Sequence, residues 1–336
     1  LKKMKKKNIL VTGAEGFIGS HLVELLLKKK FKVKALVLYN SFNSWGWLEN
    51  LNSKLKNNLE VVLGDIRDKE NFEDLSKGVD IIINMAALIG IPYSYKASRS
   101  YIETNVIGSL NVLNSALKNN ISQVIQISTS EVYGTPKKVP ITENFPYNAQ
   151  SPYAASKIAA DQLSLSFYRS FNLPVSIIRP FNTYGPRQSA RAIIPTIITQ
   201  ALKNKKIKLG SVYPKRDLMY VEDTVRGICA AINNKKTYGQ VINLGTGYEI
   251  SIKNLVEKIS KLLGFKIEYQ TQTNRKRPKK SEVDRLLASN KKAKKLLNWK
   301  PKYSKAKGLD DGLRQTLNWF KEEKNLKLYK YSDFNY

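Results

Sequence analysis

The sequence predicts an α/β fold: a doubly wound parallel sheet with helices on both faces and a smaller, interleaved C-terminal domain. Apolar runs rich in Val and Ile alternate with amphipathic segments through the first half of the chain, and a glycine-rich turn follows the first run. Such runs are typical of strands that are buried on both faces and held parallel by connecting helices. The 336 residues, 42% of them hydrophobic, are enough for more than one layer.

The predicted elements follow this alternation along the chain. Strands are expected at 8–12, 32–37, 60–63, 80–85, 123–128 and 175–179, and helices at 19–29, 101–119 and 153–171. Prolines interrupt residues 180–214, so we expect the chain to leave the sheet there and to return through a strand at 241–244. We therefore predict a first domain of residues 1–180 with segments around 217–248, a second domain of 181–216 and 249–325, and a tail of 326–336.

The composition narrows the classes of partner. The net charge is +30, but the lysines are scattered over helix surfaces and tails, and no nucleic-acid-binding module accompanies them. An anionic small molecule remains compatible with this positive charge. The apolar runs fall short of the roughly 20 residues that a membrane-spanning helix needs, so no membrane segment is expected. One cysteine and one histidine suggest no disulfide and no metal site, and a reducing cytoplasm fits.

A glycine-rich turn joins the first predicted strand to the first helix. Gly13, Gly16 and Gly19 have GxxGxxG spacing, with Phe17 and Ile18 between the last two glycines. Glycines at such a turn let the backbone approach a pyrophosphate, which accepts hydrogen bonds from the N–H groups at the helix start. The turn alone could reflect tight packing, but its position between strand and helix predicts a dinucleotide-binding sheet of the Rossmann type.

The end of the second predicted strand departs from the usual pattern. An Asp or Glu commonly holds the ribose hydroxyls of NAD there, whereas an Arg accommodates the 2′-phosphate of NADP. Residues 36–41 contain neither. Asn40 or Ser41 can hydrogen-bond a ribose hydroxyl, and the lack of an arginine favours NAD. NADP is not excluded, because nearby lysines can meet a phosphate.

Two pairs of residues indicate proton-transfer chemistry. Tyr153 and Lys157 are four residues apart on a predicted helix and share a face, where the ammonium is expected to lower the pKa of the phenol. Thr129 and Glu131 follow the fifth strand, where parallel sheets bind ligands, and their alternation predicts that both point the same way. The alternative interpretations are a surface Tyr/Lys pair and a solvated carboxylate, which the glycine turn upstream makes less favourable.

These motifs, with Arg-Pro-Phe-Asn-Thr-Tyr-Gly-Pro at 179–186, resemble the extended short-chain dehydrogenase/reductase superfamily in its nucleotide-sugar epimerase/dehydratase branch. The resemblance covers nearly the whole chain. Glu131 resembles the 4,6-dehydratases, since 4-epimerases typically carry a small or apolar residue there. Ser130 is similar to the GDP-mannose enzymes, where dTDP-glucose 4,6-dehydratases have Asp. Residues 39–48 and 187–191 resemble the N-acetylglucosamine-nucleotide 4,6-dehydratases of legionaminic acid biosynthesis.

The resemblance implies further contacts on both sides of the site. The additional cofactor contacts that it implies are Asp65, Ile66, Ala86, Ala87 and Pro180, with Tyr153 and Lys157 also touching the cofactor. The implied substrate contacts are Ser128, Ser130, Asn182, Arg191, Arg216 and Arg277. Arginine suits a diphosphate because its planar fork is permanently charged. Each arginine can instead form a surface ion pair, and the aromatic residues at 43–48 line an acetamido pocket or pack a loop.

The function that the resemblance implies is an NAD-dependent 4,6-dehydratase acting on UDP- or GDP-linked N-acetylglucosamine. Tyr153, helped by Thr129, takes the proton of the C4 hydroxyl, Glu131 removes the C5 hydrogen, water leaves from C6, and the hydride returns to C6. A 4-epimerase, which leaves Glu131 idle, is the main alternative, and a catalytically silent nucleotide-binding regulator is another. We expect helices 101–119 and 153–171 to pair in a homodimer or homotetramer.

Overall fold

The computed structural model describes residues 7–330. The strands within that range are β1 (Asn8–Thr12), β2 (Lys32–Val37), β3 (Leu59–Leu63), β4 (Ile81–Asn84), β5 (Gln123–Ile127), β6 (Val175–Pro180), β7 (Asn182–Tyr184), β8 (Lys206–Leu209), β9 (Lys215–Tyr220), β10 (Val241–Leu244), β11 (Glu249–Ser251), β12 (Glu268–Thr271) and β13 (Arg285–Leu286). The α-helices are α1 (Phe17–Lys28), α2 (Lys69–Leu75), α3 (Ile91–Ser94), α4 (Ser98–Tyr101), α5 (Gly108–Lys118), α6 (Pro152–Phe171), α7 (Ile193–Ala201), α8 (Val221–Ala230), α9 (Ile252–Leu263), α10 (Lys291–Leu297), α11 (Lys305–Lys321) and α12 (Glu323–Leu326).

The central sheet confirms the predicted α/β fold. Its seven strands are parallel and lie in the order β10, β6, β5, β4, β1, β2, β3. Each predicted strand of this sheet is present and differs by at most one residue at either end. The strand order reverses between β1 and β4, which is where doubly wound sheets bind ligands beyond the carboxyl ends of their strands.

Alternate residues of each central strand enter different cores. In β1, Ile9 and Val11 pack in the core that contains Leu22 of α1, whereas Leu10 packs in the core that contains Val112 of α5. Successive side chains of a strand point to opposite faces, so a strand covered by helices on both sides is expected to be a nearly continuous apolar run. This is why the Val- and Ile-rich runs were readable as sheet strands.

The helix predicted at 101–119 is interrupted. A π-helical segment, Ile102–Ile107, separates α4 from α5 and contains the buried residue Asn105. The Asn105 side chain accepts from the backbone N–H of Leu88 (2.8 Å) and donates to the Leu88 carbonyl and to Ser156 Oγ (both 2.9 Å). Single-turn π segments commonly occur at functional sites. Here the segment fixes the start of α6 against the loop that follows β4.

The later part of the chain adds strands outside the central sheet. β9 pairs with β7, β11 and β13, and β8 pairs with β12, while β10 returns to the edge of the central sheet beside β6. The exact domain boundaries stay a prediction. Of the predicted tail, residues 331–336 lie outside the described residues. Within 7–330, no helix combines the length and the apolar character that a bilayer crossing requires.

Candidate active site

The glycine turn between β1 and α1 is shaped by close backbone contacts. Gly13 has φ +61°, and a Cβ at Gly19 would lie 2.1 Å from the carbonyl oxygen of Gly13. Gly16 is the N-cap of α1, and no side chain within residues 7–330 caps the start of this helix. Phe17 and Ile18 are the first helical residues. The turn therefore presents an uncapped helix start of the kind that binds phosphate groups.

Small residues after β4 lie directly against this turn. A Cβ at Gly13 would stand 3.0 Å from both the Cα and the backbone nitrogen of Ala86. Thr12 Oγ1 accepts from the backbone N–H groups of Met85 and Ala86 (both 2.9 Å) and donates to Asn84 Oδ1 (2.8 Å). The backbone of Ala86 therefore packs so closely on Gly13 that position 13 has no room for a side chain.

Three predicted cofactor residues have their own partners in the structure. The Asn40 amide closes a turn by donating to Ser44 O (2.8 Å) and accepting from Ser44 N (3.1 Å). Asp65 binds Arg67 Nε at 2.9 Å. The Ile66 side chain is buried in the core, so only its backbone is available to a cofactor. Cofactor contacts from these residues stay predictions.

Tyr153 and Lys157 lie in the first two turns of α6, and both are buried. The Lys157 ammonium donates to the carbonyl oxygen of Ile127, at the end of β5, at 2.7 Å. Burial lowers the pKa of Lys157 to about 8. The expectation that the phenol pKa is lowered was wrong for this structure: burial raises the pKa of Tyr153, a hydrogen bond with Thr129 opposes the rise, and the charge of Glu131 adds to it.

Thr129 and Glu131 do reach the same place, but not for the predicted reason. The residues after β5 form a short 3₁₀ helix, Ser130–Tyr133, with Thr129 as its N-cap, so strand alternation does not apply. Thr129 Oγ1 accepts from the Glu131 backbone N–H at 3.2 Å. Thr129, Ser130 and Glu131 are all at most 9% exposed. The tight turn brings the hydroxyl and the carboxylate together beside Tyr153.

A buried ion pair lies behind the reacting groups. Arg179 donates to Asp161 Oδ2 through Nε (3.0 Å) and Nη2 (2.8 Å), and both side chains are essentially inaccessible to solvent. The Ser128 hydroxyl donates to the same oxygen at 2.8 Å, so its proton is directed at Asp161. Asp161 is one turn after Lys157 on α6, and its negative charge opposes the fall in the pKa of Lys157.

Charged side chains from distant segments meet at Glu131. Arg277 Nη1 lies 3.6 Å from Glu131 Oε2 and 4.0 Å from Glu282 Oε1, while Arg216 Nη2 lies 3.4 Å from the same Glu282 oxygen. Arg216 is 6% exposed, and burial lowers its pKa. Burial also acts to lower the pKa of Arg277, but the carboxylates of Glu131 and Glu282 outweigh it and the pKa is raised. The surface-pair interpretation of Arg277 is therefore replaced by a semi-buried pair with Glu131.

The predicted residues that remain are Asn182, Arg191 and Pro180. Asn182, on β7, has a buried Oδ1 without a hydrogen-bond partner among the described residues. A Cβ at Gly90 would be 3.7 Å from Arg191 Nη1, and the Gly90 carbonyl accepts from Tyr101, whose ring meets that of Tyr153 edge-on at 6.2 Å. Pro180 ends β6 beside Leu244 of β10.

Comparison with known proteins decides the family. Residues 10–312 match the family described as GDP-mannose 4,6 dehydratase. The chain belongs to this family. This family has the extended short-chain dehydrogenase/reductase fold. The predicted superfamily, in its nucleotide-sugar dehydratase/epimerase branch, is therefore confirmed.

Relatives of two kinds are similar to this member of the family. A putative UDP-glucose 4-epimerase of Methanocaldococcus jannaschii is 33% identical and covers 93% of this chain and 98% of its own length. The UDP-N-acetylglucosamine 4-epimerase of Methanobrevibacter ruminantium, solved with UDP-N-acetylmuramic acid, is 32% identical with a TM-score of 0.83, covering 94% and 99%. A double mutant of DesIV, the dTDP-glucose 4,6-dehydratase of Streptomyces venezuelae solved with NAD and DAU, is 29% identical with a TM-score of 0.86, covering 96% and 98%. Family membership therefore does not distinguish a dehydratase from an epimerase, and the residues of the site must decide between the two activities.

Several residues of the site in this family member were missed by sequence reasoning. They are Glu15, Asn105, Asp161 and Glu282, each of which is a polar side chain with a buried atom or a buried partner. The sequence offered a signal for only two of these residues, Asn105 and Asp161. Each is a polar residue that interrupts the small and apolar residues on the inner face of its helix. No group of three metal-ligating side chains is present among residues 7–330.

Proposed function

We propose that the chain is an NAD-dependent 4,6-dehydratase that converts UDP- or GDP-linked N-acetylglucosamine to the 4-keto-6-deoxy sugar nucleotide. The observation that carries the proposal is Glu131: a carboxylate 7% exposed, close enough to Tyr153 to affect its pKa and ion-paired with Arg277. Epimerisation at C4 requires no second base, whereas elimination of water across C5 and C6 requires one.

The residues of the glycine turn fit a dinucleotide. Gly13, Gly16 and Gly19 form a turn in which added Cβ atoms would meet backbone or approach it closely, and the start of α1 is uncapped. Ala86, whose backbone packs against Gly13, and Ala87 are small residues that we expect the cofactor to pass. When bound, NAD supplies a reversible acceptor for the hydride of C4. The complex of DesIV with NAD supports NAD as the cofactor.

Tyr153 is the proposed base for the C4 hydroxyl. The Thr129 hydroxyl lies close enough to the phenol to oppose the rise in the pKa of Tyr153, and it is suited to donate to the same sugar oxygen. A buried phenol with a raised pKa needs positive charge nearby to act as a base. Lys157 is one helical turn from Tyr153 on α6, and its ammonium donates to the Ile127 carbonyl. We assign Lys157 as the cation that supplies this charge. The Tyr101 ring and Ser156 hold Tyr153 in position from the other sides.

Glu131 is the proposed base for C5 and the proton donor for the departing C6 oxygen. Oxidation at C4 places a carbonyl next to C5 and makes the C5 hydrogen acidic, so a carboxylate is a sufficient base. The neighbouring residue Ser130 is buried and carries no acid that could serve instead. The same carboxyl group, once it has taken the proton from C5, can give that proton to the C6 hydroxyl, which then leaves as water.

Arg191, Arg216 and Arg277 are proposed to bind the diphosphate and the nucleotide, with Asn182 near the sugar or the diphosphate. Among the described residues, buried Arg216 is ion-paired with Glu282 and semi-buried Arg277 with Glu131 and Glu282, and a guanidinium fork matches phosphate oxygens. An acetamido pocket at 43–48 has less support, because Leu48 is buried in the core and Trp47 packs on Trp319 at 5.5 Å. The preference for N-acetylglucosamine thus rests on the resemblance of 39–48 and 187–191.

We also propose a homodimer or homotetramer, in the cytoplasm, assembled through α5 and α6. Ile102 and Ile107, in the π segment that leads into α5, and Phe171, the last residue of α6, are 46%, 44% and 56% exposed although all three are large and apolar. Exposed apolar side chains on these neighbouring segments favour an association surface. A role in making a legionaminic-type surface sugar follows only from the sequence resemblance.

The test is the mass of the product. Purified protein with NAD is incubated separately with UDP- and GDP-N-acetylglucosamine, and the product is analysed by mass spectrometry and NMR. Loss of one water from one of these substrates is the expected result. An unchanged mass with a new stereoisomer would instead establish a 4-epimerase, and bound nucleotide without turnover would indicate a regulator.

A further inference from the structure

The strand that usually supplies an acid for the adenosine ribose carries none here. β2 ends at Val37, and the next residue, Leu38, has an apolar side chain that is 53% exposed. Asn40, the polar residue that follows, uses both its amide nitrogen and its amide oxygen to close the turn with Ser44. The end of β2 therefore offers no carboxylate of its own, and the Asn40 amide is already engaged within the turn.

A carboxylate reaches this position from another element. Glu15 lies within the glycine turn, and its Oε1 accepts from the backbone N–H of Leu38 at 3.1 Å. Its second oxygen, Oε2, is buried and has no hydrogen-bond partner among the described residues. A buried carboxylate oxygen without a donor is costly, so such an atom commonly awaits a ligand donor.

The loop after β2 holds Glu15 in this place. The backbone N–H of Trp47 donates to the Glu15 carbonyl at 3.1 Å, and Gly46, at φ +54°, lies so close that a Cβ there would be 2.9 Å from the same oxygen. The loop is itself closed by Glu49, which accepts from Ser44 Oγ and the Trp45 N–H (both 2.8 Å). Burial raises the pKa of Glu15, while its backbone hydrogen bonds oppose that rise.

We propose that Glu15 holds the 2′-hydroxyl of the adenosine ribose and makes the site selective for NAD over NADP. The inference rests on the proposed binding of NAD at the glycine turn. A ribose hydroxyl would donate to Oε2 and satisfy it, in a charge-assisted hydrogen bond. A 2′-phosphate in the same place would set two negative groups together in a partly buried environment, which is strongly unfavourable.

The test compares two ligands that differ only at the ribose. Full-length protein is titrated with ADP-ribose and with 2′-phospho-ADP-ribose, which lack the nicotinamide and so report on ribose recognition without any turnover. For the natural sequence we expect ADP-ribose to bind at least about 100-fold more tightly. In Glu15→Gln, which keeps the size but removes the charge, this ratio should fall by about 10- to 100-fold.

Glu49→Gln is the matched control. It removes the same charge from the loop that packs against Glu15, but the Glu49 carboxylate already has two donors, so the ratio should stay within about twofold of the natural value. An unchanged ratio in folded Glu15→Gln, or an equal fall in Glu49→Gln, would overturn the inference.

A second measurement does not depend on the variants. The nucleotide that copurifies with the natural protein is released by acid and identified; NAD is expected, and NADP would overturn the inference even if Glu15→Gln failed to fold. A natural protein that binds both ribose ligands equally contradicts only the role of Glu15. One that binds neither ligand contradicts the proposed function as well.

Discussion

The cofactor side of the candidate site is formed mainly by backbone, whereas the sugar side is formed by charged side chains. On the cofactor side, Gly13 and Gly19 allow main-chain atoms to approach one another and Ala86. On the sugar side, Glu131, Arg277 and Arg216 are held by ion pairs with partners far away in the chain. Binding on the first side depends on shape, while reaction on the second depends on the position of a few charges.

The largest effect is expected where the two sides meet, at Tyr153. Tyr153→Phe removes the proposed proton acceptor but keeps the ring, so kcat should fall by about 1000-fold with nucleotide binding unchanged. Tyr101→Phe is the matched control, since it removes a neighbouring hydroxyl that only binds the Gly90 carbonyl. Steady-state kinetics of both variants check the prediction, and equal losses would mean that the phenol of Tyr153 has no special role.

The shape of the cofactor side is tested by Gly19→Ala. The added methyl would lie 2.1 Å from the Gly13 carbonyl, so the turn must shift and the dinucleotide should bind about 100-fold more weakly. A calorimetric titration with NAD measures the change. Gly78→Ala is the control, because nothing lies within 4 Å of its Cβ. It should reduce stability slightly and leave NAD affinity intact.

The contact between α1 and the segment that follows β7 predicts a dependence of stability on pH. His21 of α1 donates to the Pro186 carbonyl (3.1 Å), and burial lowers its pKa to about 4. The unfolded chain takes up a proton near pH 6.5 and the folded chain only near pH 4, so the free energy of unfolding should fall as the pH drops through this interval. The expected loss is about 2 kcal/mol by pH 4.5.

Denaturant unfolding at pH 7 and pH 4.5 measures this contribution. His21→Gln should show a pH dependence smaller by about the same 2 kcal/mol, because the titrating group is gone. If both proteins lose stability equally on acidification, the protonation of His21 is not responsible for the loss of stability.

The charges of the sugar side are tested by Arg277→Lys. Lysine keeps the charge but loses the planar fork, so KM for the sugar nucleotide should rise about tenfold. Arg275→Lys is the control two residues away, where Arg275 Nε donates to Gln272. Initial rates as a function of substrate concentration separate KM from kcat. No change in KM for Arg277→Lys would argue against a diphosphate at this arginine.

The cofactor side could be predicted from the sequence because its determinants are local. All three glycines lie within seven consecutive residues, between an apolar strand and a helix. The strands of the central sheet were equally readable, since burial on both faces makes the inner strands rich in Val, Ile and Leu. The π segment around Asn105 was not predicted, because its cause is a set of hydrogen bonds to Leu88 and Ser156 that periodicity does not reveal.

The sugar side could be predicted only in part. Thr129, Glu131 and Tyr153 were identified, but the 3₁₀ turn that brings the first two together was not, because strand alternation was assumed to continue past Ile127. The predicted lowering of the phenol pKa was wrong because burial raises the pKa of Tyr153 and the negative charges of Glu131 and Asp161 add to that rise. The pairing of Glu131 with Arg277 joins residues that only the folded chain brings together.

The most direct test of the account follows the hydrogen at C5. Glu131→Gln is incubated with the sugar nucleotide in deuterium oxide, and deuterium at C5 is measured by NMR alongside product formation. The account predicts that the variant binds the substrate but neither exchanges the C5 hydrogen nor loses water. Exchange at C5 with the natural rate in this variant would show that another group is the base and would contradict the role of Glu131.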